Sequence, residues 1–313
     1  MNAEELNDLL GQKIIEAIKD EDMLMDRKLS RVEYLCKRGA NLEVKDIFCM
    51  TALMWASDRG HKEVAELLME NGADVNAKDY SGWTALIRAS RYGHKEIAKF
   101  LIENDAGVNV KDDDGKTALM SASENGHKEI AELLIEKGAD INAKNYSEWT
   151  ALMFASYDGY KEIVDILLDK GADVNVKNKD GKTALMWASS EGHKDVAELL
   201  IEKGADINAK DNDDVTALMF ASYDGHKEIA KLLIENGADV KAKSKSGKAA
   251  LQYAYESGDD NIIEVLKNAK KVRKSKLRED MKEDAKSLSN DQDKKNNTKG
   301  GFLNRIFSGN DGM

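Results

Sequence analysis

The sequence contains no proline, few cysteines and no long apolar run. Proline ordinarily makes up about 5% of a protein, and nothing in the sequence explains its absence. Two cysteines, Cys36 and Cys49, are too few for a disulfide framework and fit a reducing compartment. No stretch approaches the roughly eighteen apolar residues of a membrane span, and the acidic start lacks the features of a signal peptide. We therefore expect a cytoplasmic protein.

Charge is distributed unevenly along the chain. The 313 residues have a formal net charge of -11. Residues 270–300 contain eleven Lys or Arg against six Asp or Glu, a net of +5, while residues 301–313 are neutral; residues 1–269 therefore carry -16. Such an acidic body argues against nonspecific nucleic-acid binding and favours a partner with a basic patch.

A unit of 33 residues repeats along most of the chain. The triplet Thr-Ala-Leu recurs at this interval, beginning at Thr51, Thr84, Thr117, Thr150, Thr183 and Thr216. A degenerate copy begins at Ala249, one further step on. A fixed period of this length is the signature of a solenoid.

One unit, residues 178–210, shows what each repeat encodes. Thr183 stands where a helix N-cap belongs, and its hydroxyl can accept a hydrogen bond from an amide of the first turn. A short helix should end near Gly192. Residues 196–201 carry apolar side chains at helical spacing and predict a second helix. Gly204 follows as a left-handed cap, and an extended hairpin turn should lead into the next unit.

These residues resemble the ankyrin repeat. The family's Thr-Pro-Leu-His appears here as Thr-Ala-Leu-Met in most units, and the Gly-Ala-Asp-Val/Ile-Asn ending begins at Gly72, Gly138, Gly171 and Gly204. The resemblance implies an all-α solenoid of about six full repeats, in which helix pairs stack and short hairpins project at one edge. It also implies that a protein partner binds to the hairpin tips and inner helices.

The repeat pattern divides the chain into five predicted segments. Residues 1–45 should form an N-terminal capping repeat, residues 46–243 six ankyrin-like repeats, and residues 244–269 a C-terminal capping repeat. Terminal units are needed because a single repeat leaves an apolar face exposed. Residues 270–300 are predicted to be a charged, disordered linker. Residues 301–313 form a short apolar segment.

Two departures from the family pattern bear on stability. Alanine replaces the family's proline at the first helical position of every unit. Asp105 stands where glycine is expected at the end of the second unit. Because aspartate tolerates the left-handed region better than most residues, we expect a weak joint there rather than a break.

No pattern in the sequence predicts catalysis. The five histidines recur at the repeat interval, and packed helices lie roughly 8–10 Å apart, whereas zinc needs every ligand atom about 2 Å away. We assign them a structural role at the start of the second helix. No P-loop, Gly-x-Gly-x-x-Gly or Gly-x-Ser-x-Gly motif occurs. We therefore expect no enzymatic activity, no cofactor and no metal.

Aromatic side chains gather at a few positions of the repeat. Counted from each threonine, or from Ala249, these positions lie four, three and one residues before it on the hairpin and four, seven and eight after it on the first helix. Thirteen of the nineteen aromatic residues fall there: Phe48, Trp55, Tyr80, Trp83, Tyr92, Tyr146, Trp149, Phe154, Tyr157, Trp187, Phe220, Tyr223 and Tyr253. Exposed aromatics are common anchors of protein interfaces, so we predict that the first twelve contact the partner. The rings at the fourth position after the threonine or Ala249 could equally be packing groups: Trp55, Phe154, Trp187, Phe220 and Tyr253. The hairpin residues Tyr80, Trp83, Tyr146 and Trp149 are therefore the stronger candidates.

The sequence thus predicts a monomeric, non-enzymatic scaffold that binds a protein partner and no small-molecule substrate. The alternative is a tethering protein whose basic and apolar tail docks on a membrane surface or nucleic acid.

Overall fold

The structure, a computed structural model, describes residues 2–269, 271–276 and 278. Up to residue 267 these form sixteen helices, and the described residues include no strand. In each repeat the first helix packs on the second and on the first helix of the next repeat, and the second helices stack in the same way. This arrangement confirms the predicted all-α solenoid.

The helices follow the 33-residue period. Repeats 1 to 6 cover residues 46–78, 79–111, 112–144, 145–177, 178–210 and 211–243. The N-terminal unit contains α1 (Ala3–Lys19) and α2 (Met25–Lys37). The six repeats contain α3 (Ala52–Arg59) and α4 (Lys62–Glu70), α5 (Ala85–Tyr92) and α6 (Lys95–Glu103), α7 (Ala118–Glu124) and α8 (Lys128–Glu136), α9 (Ala151–Tyr157) and α10 (Lys161–Asp169), α11 (Ala184–Glu191) and α12 (Lys194–Glu202), and α13 (Ala217–Tyr223) and α14 (Lys227–Glu235). The last unit contains α15 (Ala250–Ser257) and α16 (Asp260–Lys267).

The predicted caps set these helix ends. Thr183 Oγ1 accepts the Met186 amide at 3.4 Å, and the threonines of repeats 1 to 4 make the same bond. Gly192 and Gly204 end the two helices of repeat 5 with φ of 85° and 89°. Only glycine adopts such angles without a steric penalty, so each helix pair is held to its short length.

The apolar positions of successive repeats form one continuous core. In repeat 5, Leu185, Met186, Val196 and Leu200 are at most 1% exposed, and equivalent side chains of neighbouring repeats pack against them. Burying each such side chain stabilises the fold by about 1.5–3 kcal/mol. The core lies between the two layers of helices, which leaves the hairpins and the outer side of the first helices for other contacts.

A ladder of lysines joins the hairpins. Lys78 Nζ donates to the Lys111 carbonyl at 2.8 Å, and Lys111 Nζ donates to the Lys144 carbonyl at 2.8 Å. Lys45, Lys144 and Lys177 make the same bond to the following repeat. Each bond spans 33 residues, so it fixes the distance between one repeat and the next.

Asparagines form a second ladder at the repeat endings. Asn109 Nδ2 donates to the Gly138 carbonyl at 3.0 Å, and its Oδ1 accepts the Asp140 amide at 2.8 Å. Equivalent pairs of bonds are made by Asn76, Asn142, Asn175 and Asn208. Neither ladder follows from the sequence pattern described above.

The histidines lie between repeats, as expected for a structural role. The His94 ring packs on Gly60, where an added Cβ would come within 2.7 Å of it, and His94 Nε2 lies 2.9 Å from the Asp58 carbonyl oxygen. His127, His193 and His226 repeat this arrangement. Tyr160 takes the same place in repeat 4 and packs on Gly126. Among the described residues, no group of three or more His, Cys, Asp or Glu is placed to hold a metal ion.

The C-terminal end differs from the prediction. Residues 271–276, assigned above to a disordered linker, are helical. Arg273 Nε donates to the Ile234 carbonyl at 3.1 Å, and its guanidinium also donates to the Ala238 carbonyl, so Arg273 binds carbonyl groups at the end of α14. Val272 packs against the core. The rest of the predicted linker, apart from residue 278, and the apolar segment 301–313 lie outside the described residues.

Every helix in the described part of the chain is too short or too polar to cross a membrane.

Candidate binding surface

The hairpins and the outer side of the first helices carry all the predicted site residues. Six side chains are exposed: Phe48, Tyr80, Tyr92, Tyr146, Tyr157 and Tyr223. The other six are half-buried and pack against the core: Trp55, Trp83, Trp149, Phe154, Trp187 and Phe220. The stack thus brings the aromatic positions of neighbouring repeats side by side. Some of these rings are exposed to solvent, and the others lie beneath them against the core.

Each hairpin is built on an aspartate or asparagine at the start of the repeat. In repeat 4, Asn145 Oδ1 accepts the Ser147 amide at 3.0 Å and the Trp149 amide at 2.8 Å. The Tyr146 amide donates to the Asp114 carbonyl of the preceding hairpin at 2.9 Å. These bonds hold the backbone, so the Tyr146 side chain projects outward and is 63% exposed.

Four aromatic rings of repeats 4 and 5 meet in what we call the four-ring cluster: Trp149, Phe154, Tyr157 and Trp187. The Trp149 centroid lies 4.9 Å from Phe154 and 4.7 Å from Trp187, with both pairs tilted. Tyr157 meets Trp149 and Trp187 edge to face at 5.9 and 5.6 Å. Such geometries are favourable beyond the burial of area, so the cluster forms a fixed aromatic platform.

The platform continues toward the C-terminal repeats. Lys182 Nζ lies 4.3 Å from the Trp187 centroid and 4.8 Å from that of Phe220. Tyr223 and Tyr253 follow, with centroids 6.3 Å apart. We call the rings from Trp149 to Tyr253 the aromatic strip. The strip already holds three ammonium groups over its rings, since Lys116 Nζ lies 4.5 Å from the Phe154 centroid and Lys248 Nζ lies 5.8 Å from that of Tyr253. This arrangement is attractive because the ring face is electron-rich.

In repeats 1 and 2, charged side chains of the protein itself contact the tryptophan rings. Trp55 Nε1 donates to Asp46 Oδ2 at 3.0 Å, and Lys19 Nζ lies 4.4 Å from the Trp55 ring centroid. Burial raises the pKa of Asp46, but hydrogen bonds from two backbone amides, Trp55 and Lys19 outweigh it, and the net shift is downward. Arg88 and Arg91 lie over the Trp83 ring at 5.3 and 5.2 Å. Trp55 and Trp83 are therefore packing groups more than open anchors.

Two clefts open between hairpins at the same place two repeats apart. The first, about 420 Å³, lies between repeats 1 and 2 and is lined by Ile47, Phe48, Met50 and Tyr80 among others. Ile47 is 90% exposed. The second, about 400 Å³, lies between repeats 3 and 4 beside Tyr146 and the four-ring cluster. Ile47 is not aromatic and therefore lies outside the aromatic pattern of the sequence, but the polar residues at the same position in repeats 3, 5 and 6 distinguish it.

An acidic row, also missed, runs beside the aromatic strip: Glu124, Asp158, Glu191 and Asp224 end the first helices of repeats 3 to 6. A negative charge at a helix C-terminus is opposed by the helix dipole, typically by about 0.3–1 kcal/mol. The first helices of repeats 1 and 2 instead carry Arg59 and Arg91 in the last turn, which the dipole favours. The helix dipole thus opposes the charges of the row in four successive repeats, and only that of Glu124 is offset by ion pairs among the described residues, with Lys116 and Arg91.

The acids also disfavour one another. Burial raises the pKa of Asp158, and so do the negative charges of Glu124 and, further down in size, Glu191. Rings and carboxylates side by side suit a ligand that is both apolar and positively charged.

Family profiles match most of the chain. A profile described as ankyrin repeats (three copies) matches residues 23–79, 77–145 and 145–211. A second, described as ankyrin repeats (many copies), matches residues 200–254. A search of curated proteins finds no match to the chain.

Proposed function

Because the chain belongs to the ankyrin-repeat family, we propose that it is a non-enzymatic scaffold that binds a protein partner with its hairpin tips and inner helices, which are the first helices of the repeats. Ankyrin repeats generally serve as protein-interaction scaffolds, and solenoids of this kind bind through extended surfaces. The observation that carries the proposal is the aromatic strip: residues that differ between near-identical repeats meet in one place. Residues that only maintained the fold would be the same in every repeat, as the ladder lysine is in all six repeats and the ladder asparagine in the first five.

The composition of this surface supports a protein partner. Tyrosine, tryptophan and arginine are the residues most enriched among the side chains that dominate interface energies. Exposed Tyr80 and Tyr146 stand above half-buried rings. The exposed side chains can contact a partner, and the half-buried rings form a rigid surface beneath them. The two clefts, lined by aromatic and charged groups, suit single side chains of a partner.

The charge of the surface supports a partner with a basic patch. Residues 1–269 carry -16, and the acidic row concentrates negative charge beside the aromatic strip. Complementary potentials speed encounter and suppress wrong partners. We place the protein in the cytoplasm as a monomer, a setting that suits its two free thiols, Cys36 and Cys49.

The experiment uses substitutions that the protein already contains elsewhere. Repeat 5 carries Lys179 and Lys182 where repeat 4 carries Tyr146 and Trp149, so the double variant Tyr146→Lys/Trp149→Lys should fold. We expect it to lose partners that the unchanged chain retains from native lysate, measured by quantitative mass spectrometry and then by direct binding of the recovered protein.

A matched control replaces a tyrosine of the same repeat without touching the surface. Tyr160→His copies the residue that His94 and its equivalents supply between repeats, and it should retain every partner. Equal retention by the double variant and the unchanged chain would refute the proposed surface. Equal losses in the double variant and the control would mean that folding, not the surface, had been tested.

A further inference from the structure

The surface of repeats 4 to 6 contains an internal duplication. Phe-Ala-Ser-Tyr-Asp occurs at residues 154–158 and again at 220–224, two repeats later. Each copy ends a first helix, α9 or α13, with an exposed tyrosine followed by an aspartate at the C-cap. The intervening repeat supplies Trp187 and Glu191. The aromatic strip and acidic row therefore present the same tyrosine-aspartate pair twice.

The carboxylates of this region form no ion pair among the described residues, in contrast to those nearer the N-terminus. Asp58 pairs with Arg88 at 2.7 Å, and Glu124 pairs with Lys116 at 2.7 Å. Among the described residues, the carboxylates of Asp158 and Glu191 make no hydrogen bond or ion pair, and that of Asp224 accepts one bond, from Ser190 Oγ. These acids stand at helix ends where the dipole disfavours them. His193 and Lys116 offset part of the charge of Asp158 but form no ion pair with it, so its carboxylate oxygens are available to a ligand.

The neighbouring rings specify the kind of positive group. Lys182 and Lys116 already place ammonium groups over Trp187 and Phe154, at 4.3 and 4.5 Å from the centroids. A guanidinium group stacks on such rings through its plane and can bind a carboxylate through two parallel N–H groups. Arginine, more than lysine, therefore fits a position between a tyrosine ring and an aspartate.

The repeat spacing specifies the distance between two such groups. Neighbouring packed helices lie about 8–10 Å apart, so Asp158 and Asp224, two repeats apart, are separated by about 16–20 Å. An extended chain rises about 3.3 Å per residue, and five or six residues span that distance. We propose, on the basis of the proposed protein-binding function, that the strip binds an extended partner segment with two arginines about six residues apart, one at Tyr157–Asp158 and the other at Tyr223–Asp224.

The test uses the full chain and short synthetic peptides of glycine, serine and threonine. The peptides carry one arginine, or two arginines whose positions in the peptide differ by three, six or twelve. Binding is followed at low salt by tryptophan fluorescence, because Trp149 and Trp187 lie in the strip, and confirmed by calorimetry. We expect the six-residue spacing to bind about fivefold more tightly than the single arginine, because the second contact becomes intramolecular. Spacings of three and twelve should gain less.

Substitutions test the assignment of each arginine. Asp158→Asn and Asp224→Asn should each reduce the affinity of the six-spaced peptide to about that of the single-arginine peptide. Glu129→Gln and Glu162→Gln, exposed on second helices, remove the same charge away from the strip and should change affinity less than twofold.

Three results would overturn the inference: equal affinity at every spacing, an equal loss in the Glu129 and Glu162 controls, or no binding to the full chain. A peptide of residues 270–300 that binds the strip with the same loss in the aspartate variants would assign the strip to this chain's own tail and also overturn it. If the inference fails while Tyr146→Lys/Trp149→Lys still abolishes partner capture, the protein-binding function stands. If both fail, the function itself is wrong.

Discussion

Exchanging two residues at the end of repeat 2 should stabilise the protein. Repeat 2 ends Asp105-Ala106-Gly107 where repeat 3 ends Gly138-Ala139-Asp140. Asp105 has a φ of 65°, as the sequence predicted, and Gly107 does not lie in the left-handed region. Glycine and aspartate are thus in each other's places, and the double variant Asp105→Gly/Gly107→Asp restores the usual order.

Two contributions set the size of the effect. A left-handed residue other than glycine costs about 1 kcal/mol, with aspartate among the less penalised. In repeat 3, Asp140 Oδ1 accepts the Asn142 amide at 3.0 Å, a bond that Gly107 cannot make and that is worth about 0.5–1.5 kcal/mol. The double variant should therefore gain about 1.5–2.5 kcal/mol.

The new side chain has room after a small adjustment. A Cβ on Gly107 would lie 2.5 Å from Val110 Cγ2, so the valine must turn. Repeat 4 already combines Asp173 with Val176 at the same two positions, which indicates that both side chains fit together.

Hydrogen exchange measures the effect where it should occur. In the unchanged chain, amides of residues 95–112 should be less protected than those of residues 128–145, because solenoid stability is a sum of local terms. In the double variant, exchange at residues 95–112 should slow by roughly tenfold or more, since about 1.4 kcal/mol corresponds to a factor of ten. The mirror variant Gly138→Asp/Asp140→Gly should create the same weakness at the end of repeat 3. Equal protection of the two segments in the unchanged chain, or no slowing in the double variant, would refute the reasoning.

Three further predictions concern single residues. Ala184→Pro should raise the free energy of unfolding by about 0.4–1 kcal/mol, because proline presets φ at the first position of α11; a lower midpoint in urea would contradict this. Asp112→Asn, which copies Asn145, should stabilise the protein at neutral pH, because burial raises the pKa of Asp112 and the folded state disfavours the ionised form; urea melts from pH 7 to 4 should show the advantage shrinking as pH falls through that raised value. Burial, followed by neighbouring positive charges, lowers the pKa of His61, so the folded protein loses stability as pH falls below the ordinary value of 6.5 toward the lowered one; His61→Gln should lose less stability between pH 7.5 and 5, and identical slopes would disprove it.

The sequence predicted the fold well because each unit repeats the same local signals. Thr183, Gly192 and Gly204 mark helix ends by their own conformational preferences, and the helices end as those preferences require. Because the 33-residue period has no insertions or deletions, the repeats can bury their apolar faces only by stacking on one another. The left-handed conformation of Asp105 was likewise predictable, because Asp105 stands at a position of the repeat where glycine is expected.

The candidate surface was only partly predictable. The aromatic positions follow from the period, but whether a ring is open depends on what covers it: Tyr80 is 81% exposed, whereas Trp83 lies beneath two arginines. Asp158 and Glu191 resemble ordinary solvent-facing charges in the sequence, because they become neighbours only when repeats 4 and 5 stack. Arg273 escaped notice for the same reason, since its carbonyl partners lie more than 30 residues earlier.

The lysine ladder makes the repeats interchangeable parts. Because Lys78 bonds to a backbone carbonyl of the next hairpin and not to a particular side chain, any unit can follow any other without a new partner residue. Loss of residues 112–144 would bring the Trp83 and Trp149 hairpins together, and duplication of residues 145–177 would lengthen the aromatic strip by one step. Recombination between near-identical units can therefore alter the binding surface in whole blocks, while every join remains compatible. The recurrence of Phe-Ala-Ser-Tyr-Asp in repeats 4 and 6 is the kind of pattern that such exchange produces.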